Sequence, residues 1–358
     1  MSDRDGMKTV LLLRWGAWGD CVMITPLLRA LKEDGYHVTV NVTRRGRDII
    51  KYDPHIDKIV EYKENSVSDD KIPEYWTELA KGYDKFINLS GSIEEGLLAR
   101  EGTEDYNLRH TERHEKFNHN YYDRTLELGG YGHIKGQSGE LHFSKAEEDE
   151  AKAYRHRMKG KFMILWALAG SSYHKAYPYA ELVAKAFLDK HPEAMIMTVG
   201  DSLCEILEWQ HPQTYKYSGK WGIRKSLIMT KYADLVIGPE TGVLAGAGCF
   251  DTPKVIMLSH SSKENLSKYW RNCSTLSAPV GCQPCHQLHY TLDSCPLVEG
   301  IKSPVCMAEI KPSALLYLME TVYDKWREDN VMVHGKREQN ILNRRRWYGL
   351  ERQQSYSV

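Results

Sequence analysis

Thr9-Val10-Leu11-Leu12-Leu13-Arg14-Trp15-Gly16-Ala17-Trp18-Gly19-Asp20 is the stretch whose reading decides the fold. Its opening run is continuously apolar, the pattern of a strand buried on both faces of a parallel sheet. Gly16 and Gly19 then let the backbone turn tightly and admit a ligand at the carboxyl edge of that sheet. A helix-like stretch runs from Val22 to Glu33, and His37 to Val42 alternates like a second strand. Two glycines without a third do not make the dinucleotide fingerprint, so the turn argues against a nicotinamide-linked dehydrogenase. Asp20 stands where the helix should begin, and residue chemistry alone reads it as an N-cap.

Working outward, Ile56 to Tyr62 and Lys85 to Leu89 are further strand candidates. Residues 101–135 are rich in Tyr, His and Arg and look helical only in part. Glu140 to Gly160 is highly charged and reads as a solvated helix or interdomain connector. The alternation then restarts, with strands at Phe162–Leu168, Ala194–Val199, Asp234–Gly238 and Lys254–Leu258. Helices are expected at Pro178–Asp189, Gly222–Lys231 and Gly242–Gly248. Such alternation implies parallel sheets covered by helices, here in two α/β halves with a hinge near residue 150. The expected division is residues 1–150, 151–325 and a helical, basic tail over 326–358.

The chain has 358 residues, enough for two cores of ordinary size, with 42% hydrophobic and 27% charged residues. No run approaches the roughly 18 apolar residues of a membrane span. Acidic residues stand at the N-terminus where a signal peptide carries basic ones, so a cytoplasmic protein is expected. Its 48 basic and 48 acidic residues cancel, leaving no global attraction to nucleic acid. Local basic patches remain at Arg44, Arg45 and Arg47 and in the tail, where Arg344, Arg345, Arg346 and Arg352 accompany Trp347 and Tyr348.

Three further motifs carry chemistry. Trp166-Ala167-Leu168-Ala169-Gly170-Ser171-Ser172 ends a strand in small residues, and Lys175 follows just before Pro178. Small residues let backbone amides approach an anion, and the lysine supplies a point charge; an ordinary loop with a surface lysine has the same pattern. Ala233 to Gly238 runs into Pro239-Glu240-Thr241-Gly242-Val243, where helix-start amides can hold a pyrophosphate. Tight helix–sheet packing would also want the small residues Ala245 to Gly248. Last, Cys282-Gln283-Pro284-Cys285, Cys295 and Cys306 could complete a four-thiolate site for zinc or, less often, iron. A reduced, metal-free cluster is the alternative, and His286 and His289 lie near enough to compete as ligands.

In this order the four motifs resemble glycosyltransferase family 9, the ADP-heptose:lipopolysaccharide heptosyltransferases and their relatives. Gly16 to Asp20 and Thr25 to Leu31 match its opening turn and helix. Lys175-Ala176-Tyr177-Pro178 matches its Lys-x-Trp-Pro, with Tyr for Trp. Ser218-Gly219, Thr241-Gly242, Ala247 and Pro253 fit its late motif, and Cys282, Cys285, Cys295, Cys306 and Met307 its cysteine segment. Two positions depart: Glu240 replaces the usual Asp, and Ala245 the usual His.

The resemblance implies a GT-B fold, two Rossmann-like domains whose parallel sheets face each other across a cleft. It implies an inverting glycosyltransferase moving a heptose-like sugar from a nucleotide-diphosphate donor to an acceptor hydroxyl, with Asp20 as general base. Donor binding would fall to Lys175, Ser171, Glu240, Thr241, Gly242 and Val243, and the acceptor side of the cleft to Arg14, Gly16, Trp18 and Gly19. The metal at the cysteines would be structural, and no catalytic divalent cation is expected. The acceptor would be a glycan, lipid-linked or macromolecular; the lost His and the basic patches keep protein and nucleic acid in view. A degenerate nucleotide-binding module is the non-enzymatic alternative.

Overall fold

β1 (Thr9–Arg14) is buried at every residue and lies at the centre of a sheet, as its apolar run demands. The computed structural model describes residues 7–170, 172–289 and 295–330 of the chain. In the N-terminal half β1 pairs in parallel with β2 (His37–Thr43) and β4 (Lys85–Asn88), and β2 with β3 (Lys58–Tyr62), giving the order β3-β2-β1-β4. Helices α1 (Trp18–Met23), α2 (Thr25–Glu33), α3 (Arg44–Ile50) and α4 (Ile72–Ala80) connect and cover these strands. The single helix expected from Val22 to Glu33 is two. The chain breaks at Ile24, and Pro26 occupies the first turn of α2, where its missing N–H costs nothing.

Residues 101–135 resolve into a helical arm. After the two-residue β5 (Ala99–Arg100) come α5 (His110–Phe117) and α6 (Tyr121–Leu128). The charged connector is likewise ordered. α7 (Lys145–Arg157) starts at Ser144, whose hydroxyl accepts from the Glu147 amide while the Ser144 amide donates back to the Glu147 carboxylate at 2.8 Å. Such reciprocal capping fixes the helix start. Residue 150, the expected hinge, lies inside this helix; residues 139–143 are the extended run that leads into it.

The C-terminal half contains β6 (Phe162–Ala167), α8 (Ala180–Lys190), β7 (Ala194–Val199), β8 (Thr214–Lys216), α9 (Ile223–Tyr232) and β9 (Leu235–Pro239). α10 (Gly242–Ala247), β10 (Lys254–Leu258) and β11 (Cys273–Ser277) follow. Its sheet is parallel throughout, ordered β11-β10-β9-β6-β7-β8. The edge strands β8 and β11 lack an apolar run, so periodicity did not announce them. A helix over 312–330 packs Leu315, Met319 and Tyr323 against Phe162 and Phe187 on one face of this sheet. The tail from residue 331, with its arginines, lies outside the described residues.

The two halves share one continuous apolar cluster, from Val10, Leu12 and Val40 through Cys21 and Val22 to Leu244, Met163 and Leu165. Polar groups lock the same junction. Asn265, fully buried, donates to the Phe117 and His119 carbonyls at 2.8 and 2.9 Å and accepts from the Tyr121 amide. β5 pairs in parallel with β12 (Gln287–Leu288), so the N-terminal arm adds a short strand to the cysteine-bearing segment. Arg224 on α9 reaches the other way. Its guanidinium donates to the carbonyls of Asp48 and His142 at 2.8 and 2.9 Å and pairs with Glu147. Burial disfavours the Glu147 carboxylate, but Arg224 and the Ser144 bonds outweigh it and hold its pKa at about 2.

Arg224→Met should therefore cost on the order of 3 kcal/mol, because it strands buried carbonyls and a carboxylate at the interdomain contact. Urea denaturation measures this, and a midpoint equal to that of wild type would contradict the clamp.

Candidate functional site

Asp20 lies on α1, just beyond the carboxyl end of β1. It is not the N-cap that its position suggested. Ala17 is the N-cap and Asp20 the third helical residue. Its Oδ2 accepts from the Ala17 amide at 2.7 Å, and its Oδ1 pairs with Arg14 Nη2 at 3.1 Å. Arg14, only 1% exposed, also donates to the Leu89 carbonyl at 2.8 Å and to both oxygens of Glu94 at 3.2 Å. Burial is the largest influence on Asp20, and it prevails over Arg14, raising the carboxyl to about 6. Gly16 makes the arrangement fit, since a Cβ there would lie 2.8 Å from Asp20 Oδ2.

Across the junction, Lys175 Nζ donates to the Glu240 carbonyl at 3.1 Å, immediately before α10. Burial lowers the lysine pKa, while Glu240 and Asp20 both pull it back up. Asp20 and Lys175 therefore share one electrostatic neighbourhood. Gly170 closes the group: a Cβ there would sit 3.2 Å from the Glu240 carbonyl and Lys175 Cδ, and 3.3 Å from Thr241 Cγ2. Thr241 caps α10 by accepting from the Leu244 amide. The amides of Gly242 and Val243 begin the helix and have no acceptor within it. Ser171 lies outside the described residues.

Glu240 serves another purpose. Its carboxylate accepts from the Ser259 amide and hydroxyl and from the Ser261 amide, and lies 2.9 Å from His260 Nδ1. Burial opposes its charge, but His260, Lys175 and these donors hold its pKa at about 2. The side chain fixes the loop after β10, and the backbone carbonyl of the same residue positions Lys175.

The two halves meet at the starts of α1 and α10. A Cβ on Gly242 would lie 2.9 Å from Trp18 Cβ and 3.3 Å from the Gly19 nitrogen; one on Gly19 would lie 3.8 Å from Ala245 Cβ. Arg14, Gly16, Trp18, Gly19, Asp20, Lys175, Thr241, Gly242 and Val243 thus belong to one junction. Ala245, 2% exposed, is part of this contact. A longer side chain there would push α1 away.

Sequence reasoning missed the aromatic wall beside the turn. Trp15 stacks on Tyr62 with ring centroids 3.8 Å apart, and Tyr75 and Trp76 complete the group. Trp15 Nε1 donates to Asn41 Oδ1 at 2.7 Å. Asn41 Nδ2 and the indole nitrogens of Trp18 and Trp76 are buried without a partner. Only Trp15, next to the glycine turn, gave a sequence signal; Glu94, Asn41 and Trp76 come from elements with no motif.

Cys282, Cys285, Cys295 and Cys306 share a neighbourhood. Burial, with neighbouring thiols adding to it, pushes Cys285 up to about 12 and Cys295 to about 11, and Cys306 higher still. Burial keeps these thiols protonated, and a metal bound there would have to displace their protons. Nor do the thiols converge to bonding distance. Among the described residues, the set of three side chains whose ligand atoms lie within 4.8 Å of one another is Asp53, His55 and His142. His289 lies 3.8 Å from Cys285 Sγ, whereas His286 faces His114 at 3.1 Å.

No protein-family model and no curated protein sequence matches the chain. Solved structures do. A glycosyl transferase family 9 structure from Veillonella parvula DSM 2008 superposes with a TM-score of 0.65 at 12% identity, covering 90% of this chain and 99% of that one. The Escherichia coli ADP-heptose LPS heptosyltransferase II gives 0.63 at 13% identity, covering 89% and 99%. The iron-containing dodecameric glycosyltransferase TibC of enterotoxigenic E. coli gives 0.58 at 12%, covering 89% and 77%. The chain therefore has their GT-B fold, with two Rossmann-like halves facing each other. Among the described residues no helix is long and apolar enough to cross a membrane.

Carbon-detected NMR titration of the Asp20 carboxyl, assigned by its loss in Asp20→Asn, should give a midpoint near pH 6. A midpoint in the ordinary carboxylate range, about 4, would mean that the junction does not bury it.

Proposed function

We propose that the chain is a glycosyltransferase that moves a heptose-like sugar from a nucleoside-diphosphate donor to an acceptor hydroxyl with inversion. The observation that carries this reading is the contact of α1, which bears Asp20, with the start of α10, where Lys175 Nζ donates to the Glu240 carbonyl. A base needs a pKa close to the working pH, and burial supplies one here. In the reaction the acceptor oxygen bonds to the anomeric carbon as its proton passes to Asp20. The bond from that carbon to the diphosphate oxygen breaks on the opposite face.

The departing diphosphate carries negative charge, which Lys175 and the free amides of Gly242 and Val243 would neutralise. That assignment requires no catalytic divalent cation. Thr241 would shape the helix start, Ser171 would line the donor side, and Glu240 would contribute by positioning Lys175 through its carbonyl. Ala245 replaces a residue that bears on donor choice in the similar family, so the sugar and the base belong to this chain's own specificity. On the acceptor side, Arg14 with Glu94 would orient Asp20. Trp15, Trp18 and the ring cluster would stack against a glycan face. Because α1 and α10 are in contact, donor entry requires the two halves to part and product formation to occur on closure.

The acceptor follows as a glycan, lipid-linked or carried by a macromolecule, met in the cytoplasm. The cysteine segment would hold a structural metal, iron being the ion of the similar TibC protein. Bound there, it would lower the thiol pKa values and tie the four cysteines of the segment together. A second reading has one observation in its favour. Both oxygens of Asp20 are engaged, by Ala17 and Arg14, as in a module that binds nucleotide without turning it over.

Asp20→Asn separates the two. Turnover should fall by roughly a thousandfold or more while the dissociation constant for nucleoside diphosphate stays unchanged; unimpaired turnover contradicts the base. Lys175→Ala should weaken diphosphate binding by about tenfold or more, near the 1.5–3 kcal/mol of a charged hydrogen bond. In wild type, kcat/KM should fall as pH drops below about 6, since the base must be unprotonated. Elemental analysis should find a metal that Cys282→Ser releases, and unchanged metal content in that variant would remove the cysteine site.

A further inference from the structure

A second cluster of ligand-type side chains lies away from the cleft, where the connector runs past the N-terminal domain. Asp53 and His55 occupy the turn after α3; Glu140 and His142 lie on the extended run before α7. Asp53 is 7% exposed. One of its oxygens, Oδ1, accepts from the His55 amide and faces His55 Nδ1 at 2.8 Å. The other, Oδ2, is buried with no partner. His142 Nε2 and Glu140 Oε1 are also buried without a hydrogen-bond partner. Both stand in ion-pair range of complementary groups: His142 Nε2 is 3.5 Å from Glu140 Oε2, and Glu140 Oε1 is 3.6 Å from both His55 Nδ1 and Arg29 Nη1.

A buried carboxylate oxygen without a partner, as Asp53 Oδ2 is, is rare, and beside two imidazoles it fits a cation. Two features define its chemistry. The ligand atoms of Asp53, His55 and His142 already lie within 4.8 Å of one another. A tetrahedral ion with bonds of about 2.0–2.2 Å holds its ligand atoms roughly 3.4 Å apart, so the side chains would close in on it by up to about 1.4 Å. Arg29, 3.6 Å from Glu140 Oε1, partly neutralises that carboxylate and leaves Asp53 as the anionic ligand. Two imidazoles and one carboxylate suit a borderline transition ion and discriminate against calcium and magnesium, which prefer all-oxygen shells.

We propose that Asp53, His55 and His142 bind one divalent transition-metal ion, zinc or ferrous iron, with Glu140 as an adjoining carboxylate. The ion fastens the connector to the N-terminal domain. Arg224 bonds the carbonyl of the same His142 from α9 of the C-terminal half. The ion and the guanidinium therefore grip one residue from opposite domains, and metal binding stiffens the path along which the halves would move. This site is separate from the cysteines in both residues and chemistry.

The test uses the full chain, stripped with a chelator and titrated with Co2+, whose visible spectrum separates nitrogen–oxygen ligands from thiolates. Besides any cobalt bound by the cysteines, wild type should take up about one further equivalent whose spectrum lacks sulfur-to-cobalt charge transfer. His142→Ala and Asp53→Asn should lose that equivalent and leave any thiolate-bound cobalt unchanged. His55→Gln, the mildest change, should weaken uptake by roughly tenfold or more and decides the matter if the others fail to fold. Added Zn2+ should raise the thermal midpoint of wild type more than that of the variants, by selective binding to the folded state. Equal uptake and identical spectra in wild type and all folded variants would overturn the proposal, as would a wild type that binds cobalt through thiolates alone.

Discussion

The site depends on one contact, the start of α1 laid directly on the start of α10. Gly242 permits it, since any Cβ there would come within 2.9 Å of Trp18 Cβ. Gly19 and Ala245 keep the same surfaces flat. Close approach removes water from Asp20 and Lys175 together, and this shared burial perturbs both groups in opposite directions. The apolar cluster that runs through the junction supplies the force that maintains it.

Two carboxylates, Asp20 half-buried and Glu240 buried, flank the contact, and their surroundings drive their pKa values apart. Asp20 has Arg14 and one amide against strong desolvation, and its pKa rises to about 6. Glu240 is more enclosed, but two amides, a hydroxyl, His260 and Lys175 hold it near 2. One is left able to exchange a proton near neutral pH, whereas the other is locked as a permanent anion that orders a loop. Environment makes this division, because the two side chains carry the same functional group.

Much of this was legible in sequence. Thr9–Leu13, Ala194–Val199 and Lys254–Leu258 are largely apolar runs, and all three are strands of parallel sheets. The glycine turns at Gly16–Gly19 and Thr241–Gly242 stand out because backbone proximity needs small residues. What stayed hidden depends on partners distant in the chain. The arm over residues 101–135 is polar and irregular because its side chains bond the 259–289 segment, as Arg113 does to the Cys285 carbonyl and Asn120 to that of Glu264. Glu240 looked like a donor ligand, since nothing near it in sequence reveals Ser259 to Ser261. Asp53 and His142 likewise meet only through the fold.

The central claim is that the α1–α10 junction is where a nucleoside diphosphate binds and where Asp20 faces the sugar. A crystal structure of the chain with a bound nucleoside-diphosphate sugar measures this directly. The account predicts the distal phosphate within hydrogen-bond reach of Lys175 Nζ and the Gly242 and Val243 amides, with the anomeric carbon turned toward Asp20. A donor bound elsewhere, or one whose sugar points away from Asp20, would contradict it.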